Sequence, residues 1–222
     1  MLAMKFDLHL HTTRSRDSII ELDDLIGVAK KRGLRGVAIT DHNKFFRGGE
    51  RGEVLLIGGS EVRVEGVDIL CLFIDRIPKG DTVEELCEWV RDEGGISVFA
   101  HPYGRMRSLL LKERIAEAVD AIEVFNSRVP FSWMNSKAAI LAKRFEKGIT
   151  AGSDAHTPDE IGRAYVSYDE SERLEDLKEA ILRRSVEVRG TRSPLTVHIS
   201  STMHKFFKGR GPLEDLLREA IQ

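Results

Sequence analysis

The sequence predicts an α/β fold in which short strands alternate with helices and close into a barrel. Apolar runs rich in Val and Ile alternate with segments of helical periodicity, a pattern typical of βαβ units and a parallel sheet. Five of the runs lead directly into His, Asp or Glu. An open doubly wound sheet places such residues only near a switch point, whereas a barrel gathers them from every strand. The pattern therefore favours a barrel.

Local signals predict each element in turn. A helix is expected over 22–31, because apolar residues recur there with helical spacing and Gly33 follows as a C-terminal signal. Asp81 or Thr82 is a suitable N-cap for a helix that stops at Gly94. The remaining predictions are strands at 2–6, 36–39, 54–57, 62–64, 67–74, 96–100, 121–125, 149–151 and 186–188, helices at 109–119, 132–146, 174–183 and 212–221, a helical turn at 159–161 and a loop at 43–52.

Length and composition restrict the class of protein. The 222 residues suit one large domain or two small ones, and 41% hydrophobic residues can form a substantial core. The net charge of −2 excludes a globally basic nucleic-acid-binding protein. Cys71 and Cys87 lie in apolar segments outside any C-x-x-C pair, which indicates buried free thiols. Without a recognisable leader or transmembrane run, the predicted location is the cytoplasm.

A pair of histidines follows the N-terminal apolar run. Side chains alternate along a strand, so His9 and His11 project from the same face and can hold one metal ion. One such motif carries a real false-positive risk. However, five of the seven histidines follow predicted strands, most of them beside a carboxylate. Clustered His, Asp and Glu indicate a metal centre, and mixed imidazole and carboxylate ligands suit zinc, manganese or iron.

Five motifs succeed one another along the chain. They are Asp7-Leu-His9-Leu-His11, Ile39-Thr-Asp41-His42-Asn43, Gly59-Ser-Glu61, Ala100-His101-Pro102 and Gly152-Ser-Asp154-Ala-His156. Together and in this order they resemble the motifs of the PHP (polymerase and histidinol phosphatase) family, in particular its small stand-alone metal-dependent phosphoesterases. The resemblance extends from about Met4 to about Arg189. It implies a distorted (β/α)7 TIM-like barrel, the PHP barrel, with two or three divalent metal ions.

The resemblance also implies which residues bind each ion. Some relatives have a His where this chain has Asp17, so we assign Asp17 to the metal site, although it is equally a candidate N-cap for the first helix. Relatives also place a His in the stretch where this chain offers only Asp68 as a replacement. The implied ligands are His9, His11, Glu61 and Asp154 for a first ion, Glu61 and His101 for a second, and His42 and His156 with Asp17 for a third.

Other polar residues are expected near the ions. A carboxylate often orients a metal-bound imidazole, and we expect Asp41 to orient His42 in this catalytic centre. Glu123 and Asn126 lie where relatives keep a polar residue, and for both a capping role and a site role remain open.

Basic residues suggest how a phosphate would be bound. Arginine matches phosphate bidentately, and cations populate the loops that follow the ligand strands. We expect Arg105 or Arg128 to clamp the substrate. The segment 191–222 is predicted to be a basic extension that packs on the 1–190 barrel or on a partner, with nucleic acid as an alternative ligand. Its histidines, His198 and His204, are outside every motif and are not expected to bind metal.

The expected activity is hydrolysis of a phosphate ester of a small metabolite or nucleotide through a metal-bridging hydroxide. Two alternatives remain open. In the first, the chain is a nuclease or phosphodiesterase that acts on DNA or RNA, and the basic extension is its particular support. In the second, the chain is a non-catalytic scaffold subunit. Loss of several metal ligands would mark a scaffold, and here nearly all are present.

Overall fold

The computed structural model describes residues 3–104, 109–168, 174–194 and 197. The predicted helix at 212–221, His198, His204, Arg105 and most of the C-terminal extension lie outside these residues. Within them the elements are, in order, β1 (Met4–Leu10), α1 (Leu22–Lys31), β2 (Gly36–Ile39), β3 (Gly49–Arg51), β4 (Val54–Ile57), β5 (Gly59–Val64), β6 (Val67–Leu72), α2 (Val83–Asp92), β7 (Ile96–Phe99), α3 (Leu109–Ala118), β8 (Ala121–Asn126), α4 (Ser132–Arg144), β9 (Gly148–Gly152), a 3-10 turn (Pro158–Glu160), β10 (Ala164–Tyr168), α5 (Leu174–Leu182) and β11 (Glu187–Gly190).

The strands form two mixed sheets with the orders β11-β10-β1-β2-β4-β3 and β5-β6-β7-β8-β9. Parallel neighbours such as β1 and β2, or β8 and β9, agree with the sequence prediction. The prediction of a parallel sheet is nevertheless wrong for several pairs, including β5 with β6 and β1 with β10. Glu65 and Gly66, which join β5 to β6, both have positive φ angles. Such a two-residue turn connects only antiparallel strands.

The structure adds two strands that the sequence analysis did not predict. β10 has the sequence Ala-Tyr-Val-Ser-Tyr, in which every residue except Tyr165 is buried, so its signal is a short run of β-branched and aromatic residues rather than an alternation. β3 lies in the predicted loop at 43–52 and consists of three exposed residues, so its pairing with β4 has no hydrophobic signal. The first strand also continues past its predicted end at residue 6 to Leu10, and His9 therefore lies inside it.

Three apolar clusters hold the strand ends in place. One contains residues from both sheets, for example Leu8 of β1 and Val98 of β7. A second packs α2, α3 and α4 on the five-stranded sheet, and a third packs α1 on the other sheet through Leu25 and Ala29. Each fully buried Leu or Ile contributes about 1.5–3 kcal/mol. The ends of β1, β2, β5, β7 and β9 are thus fixed by a well-packed interior.

Helix starts follow the local chemistry. Of the two N-cap candidates predicted for α2, Asp81 and Thr82, the structure uses Thr82, and Glu85 completes a capping box with it. The N-cap of α1 is Glu21, whose side chain makes no capping hydrogen bond. None of the helices in the described residues combines the length and the apolar character needed to cross a membrane.

The described part of the C-terminal extension lies on the loop that follows β8. The amide of Ser193 donates to the carbonyl of Ser127 at 2.7 Å, and Arg192 Nη1 donates to the carbonyl of Pro130 at 2.6 Å. Residues 191–194 therefore pack against the same body of structure as the strands before them.

Candidate metal centre

Main-chain hydrogen bonds connect the two sheets where the predicted ligands lie. The amide of Asp154 donates to the carbonyl of His9 at 2.7 Å, and that of Asn43 donates to the carbonyl of Glu61 at 2.8 Å. A Cβ atom on Gly152 would overlap His9, so only glycine allows β9 this close to β1. The backbone itself therefore brings the motifs together.

The ligand-type side chains form four overlapping groups. Within each group one ligand atom per residue lies within 4.8 Å of the others. Three nitrogen or oxygen donors at this spacing suit a divalent ion. Every predicted metal ligand except Asp17 belongs to at least one group, and Asp68 belongs to one as well. The groups are His9, His11 and Glu61; His9, His101 and Asp154; His11, His42 and His156; and Glu61, Asp68 and His101.

Glu61 lies at the centre of these groups. Its Oε1 is 3.1 Å from Nε2 of His101 and 3.6 Å from Nε2 of His9. Its Oε2 is 2.6 Å from Nδ1 of His42 and 3.5 Å from Nε2 of His11, yet this buried atom makes no hydrogen bond with any described residue. Burial would raise the pKa of Glu61, but the charge of His9 and a hydrogen bond from His101 hold it well below its usual range. A buried carboxylate facing several ring nitrogens fits the bridging position between cations.

Asp17 lies between the two histidines to which the sequence assigned it. Its Oδ2 is 3.5 Å from Nε2 of His42, and its Oδ1 is 3.5 Å from Nε2 of His156. Burial would raise the pKa of Asp17, but contacts with His156 and His42 hold it below its usual range. Burial would lower the pKa of His42, and the carboxylates of Asp17 and Glu61 instead raise it to about 10. The capping alternative for Asp17 is wrong, because the N-cap of α1 is Glu21.

The pair His9 and His11 is fully buried at the end of β1. Their Nε2 atoms are 3.2 Å apart, so both point to the same place. Burial and the neighbouring His156 lower the pKa of His11 to about 3. His11 is therefore a neutral imidazole at pH 7, which is the form that binds metal.

Glu123 and Asn126 both contact the ligands directly, and Asn126 has the capping role as well, because its Oδ1 accepts the amide of Arg128 at 2.8 Å. Oε1 of Glu123 is 2.9 Å from Nδ1 of His9, and its Oε2 accepts the amide of His101 at 2.7 Å. Asn126 Nδ2 donates to Oε2 of Glu123 at 3.1 Å and to Oδ2 of Asp154 at 3.2 Å. Glu123 thus fixes the ring of His9 so that Nε2 faces the other ligands, a common arrangement behind metal-bound histidine.

We expect Glu123→Gln to weaken metal binding by roughly 10–100-fold, because the amide cannot hold the His9 ring as the carboxylate does. Metal affinity measured by competition with a chromophoric chelator checks this. Glu117→Gln, on the exposed side of α3, is the matched control and should bind metal like the wild type. Equal affinity in both variants would show that Glu123 does not position the ligand.

The structure corrects the role predicted for Asp41. Its carboxylate accepts hydrogen bonds from the amide and hydroxyl of Thr12, at 2.8 and 2.7 Å, and from Ser15 Oγ at 2.8 Å. Neighbouring residues of an extended chain point in opposite directions. Asp41 therefore turns towards the loop 12–18 while His42 turns towards Glu61. Asp41 holds that loop rather than the ring of His42.

Asp7 has a positioning role that the sequence analysis did not assign. Its carboxylate accepts hydrogen bonds from the amide of Ser153 at 2.9 Å, from Ser153 Oγ at 2.5 Å and from the amide of Gly162 at 2.7 Å. Burial raises the pKa of Asp7 to about 6 despite these hydrogen bonds. Asp7 thereby fixes the residue before Asp154. A carboxylate between the apolar residues Phe6 and Leu8 of this strand was the available signal.

A cleft of about 220 Å³ opens onto the ligands, with His42, Glu61, His101 and Asp154 in its wall. Arg128 lines this cleft, as a substrate-binding residue would. Its guanidinium is already engaged, however: Nε is 3.0 Å from Oε1 of Glu160, and Nη2 donates to the carbonyl of Val197 at 3.1 Å. A phosphate clamp by Arg128 remains a prediction, and Arg105 lies outside the described residues.

Sequence comparison identifies two relatives in Methanocaldococcus jannaschii. The uncharacterised protein MJ1587 is 37% identical over 143 residues, which cover 56% of this chain and 82% of that protein. The uncharacterised protein MJ0417 is 33% identical over 175 residues, which cover 75% of this chain and 71% of that protein. Both are therefore related to this chain over most of their own length.

A family description and a solved structure agree with the five motifs. Residues 133–186 match the family described as PHP-associated. A two-domain protein from Bacteroides vulgatus, which contains a predicted PHP-like metal-dependent phosphoesterase, superposes with a TM-score of 0.68 at 17% identity. The match covers 86% of this chain and 65% of that one, and it shows a common mixed α/β fold. On its five motifs and the match at 133–186, this chain belongs to the PHP family.

Proposed function

We propose that this protein is a metal-dependent phosphoesterase that hydrolyses a phosphate ester of a small metabolite or nucleotide. One observation carries the proposal. Glu61 is shared by two of the four ligand groups and lies at the base of a cleft that a small substrate can enter. We also propose that the two sheets close into the distorted (β/α)7 barrel, because hydrogen bonds such as that from Asn43 to Glu61 join them.

The donor set fits two or three divalent ions of zinc, manganese or iron. Such ions, when bound, lower the pKa of coordinated water and polarise a phosphoryl oxygen. In our assignment Glu61 would be a ligand of two ions, His101 and Asp68 would complete the second, and Asp17 would complete the third. The other ligands are those implied by the sequence, namely His9, His11 and Asp154 for the first ion and His42 and His156 for the third.

Exposure of the ligands indicates the side from which the substrate arrives. His9 and His11 are fully buried, whereas the side chain of His42 is 40% exposed and that of Asp154 is 14% exposed. The substrate would therefore approach the ions from the side of His42 and Asp154, with His9 and His11 behind the ions. Interactions with the phosphate would be strong there because the base of the cleft is largely shielded from water.

A screen of phosphomonoesters and phosphodiesters with added manganese or zinc tests the proposal. We expect hydrolysis that EDTA abolishes and that the metal restores. His9→Ala should lose most activity and bound metal while keeping the wild-type circular dichroism spectrum, because His9 serves the metal rather than the apolar core. Full metal content and near wild-type activity in His9→Ala would refute the site, and hydrolysis of diesters alone would favour the nuclease alternative.

A further inference from the structure

An exposed apolar face runs along helix α4. Trp133 and Ile140 are two turns apart, hence on the same side of the helix, and they are 47% and 66% exposed. Phe131, which is 55% exposed, lies nearly parallel to Trp133 with the ring centroids 6.3 Å apart. Nζ of Lys137 is 4.8 Å from the centroid of the Trp133 ring. We call these four side chains the α4 face. An exposed apolar surface of this kind indicates a site of contact with another segment or chain.

The formal charges of α4 are all positive. Its sequence contains Lys137, Lys143 and Arg144 and no carboxylate. Arg144 pairs with Glu113 of α3 at 2.5 Å, whereas Lys137 and Lys143 are exposed. A segment that covers the α4 face should therefore combine apolar side chains with carboxylates.

The segment 212–221 has this composition. Its apolar residues recur with helical spacing, and Pro212 is a favourable first residue of a helix. A helix of this length is only marginally stable in water by itself, so it needs an apolar surface on which to pack. The apolar residues are Leu213, Leu216, Leu217, Ala220 and Ile221, and the charged residues are Glu214, Asp215, Arg218 and Glu219.

The chain approaches this segment from a point beside the α4 face. Arg192 Nη1 donates to the carbonyl of Pro130, the residue before that face, at 2.6 Å. The carbonyl of Val197, the last described residue, accepts from Arg128 Nη2 at 3.1 Å. The stretch 198–212 can extend to about 50 Å at most, and α4, with 13 residues, is only about 20 Å long. The whole α4 face is thus within reach of 212–221.

We propose that residues 212–221 pack as a helix on the α4 face of the same chain. The apolar side of that helix covers the rings of Phe131 and Trp133, and its carboxylates lie near the cations of α4. Of the two partners predicted for the extension, the barrel and another chain, this assigns the barrel. The tether from Val197 favours the same chain, because it gives the segment a high effective concentration at α4.

Hydrogen exchange of the full chain, followed by mass spectrometry, tests the inference. We expect the amides of 213–221 to be protected in the wild type. Trp133→Ser/Ile140→Ser should speed their exchange roughly tenfold or more, because the helix loses the surface that stabilises it. Ile77→Ser replaces a side chain that is 68% exposed elsewhere, and this control should keep the protection. Equal exchange in the wild type and the double variant overturns the proposal.

Fluorescence of Trp133 gives a second readout, with the change made in the segment instead. The chain has two tryptophans, Trp89 and Trp133, so Trp89→Phe leaves Trp133 as the only emitter. In that background Leu216→Asp/Leu217→Asp should shift the emission to longer wavelength and increase its quenching by acrylamide, because water reaches the ring. Arg218→Asp, on the opposite side of the predicted helix, should change neither quantity. An unchanged spectrum and unchanged quenching in the leucine variant overturn the proposal.

Sedimentation equilibrium over a range of protein concentrations identifies the occupant of the α4 face. A monomeric wild type with a protected segment supports packing within one chain. A dimer that Trp133→Ser/Ile140→Ser dissociates, with loss of the protection, overturns it in favour of a second copy of the chain. The α4 face contains none of the predicted metal ligands, so these outcomes are independent of the proposed phosphoesterase activity.

Discussion

Glu61→Gln should remove at least one equivalent of bound metal and lower kcat/KM by roughly a thousandfold. Glutamine has nearly the same size, so the packing around position 61 is preserved. It lacks the negative charge that faces the ring nitrogens of His9, His42 and His101 at 3.6, 2.6 and 3.1 Å. Divalent ions that are bound mainly by imidazole nitrogens need that charge, and its loss should affect the ions on both sides of Glu61.

Metal content by inductively coupled plasma mass spectrometry, measured beside steady-state kinetics, checks this result. Glu50→Gln is a suitable control, since Glu50 is exposed on β3. The control should retain both metal and activity. A Glu61→Gln protein with the full metal content of the wild type would contradict the bridging assignment, whatever its activity.

Asp17→Asn should remove one equivalent of metal and lower kcat/KM by roughly 10–100-fold, with no change in helical content. Asparagine keeps the shape and the hydrogen-bonding oxygen but removes the charge between His42 and His156. Two imidazoles without a carboxylate hold a divalent ion weakly. The helix should be unaffected because α1 begins at Leu22 with Glu21 as its N-cap.

Metal content checks this result, and far-ultraviolet circular dichroism of the same samples confirms that the fold is kept. The control is Asp23→Asn, which removes a charge from the first turn of α1 and should leave the metal count unchanged. Unchanged metal content in Asp17→Asn would overturn the assignment of Asp17 as a metal ligand.

The spacing of residues along single strands predicted much of the site. Alternation along a strand placed His9 and His11 on one face, and their Nε2 atoms are indeed 3.2 Å apart. The helices were also predictable, because caps and glycines such as Thr82 and Gly94 act within a few residues of the chain. Strand β3 had no such local signal, because its three exposed residues are held only by pairing with β4.

The sequence alone determined the residue types of the site, their order along the chain and the family to which they belong. Only the tertiary structure decided which side chains face one another: Asp41 turned to the loop 12–18, Glu123 reached His9, and Arg128 paired with Glu160. The residues of the last two contacts are separated by 114 and 32 positions. Contacts over such separations depend on how the strands and the connections between them pack, which the local pattern of residues does not specify.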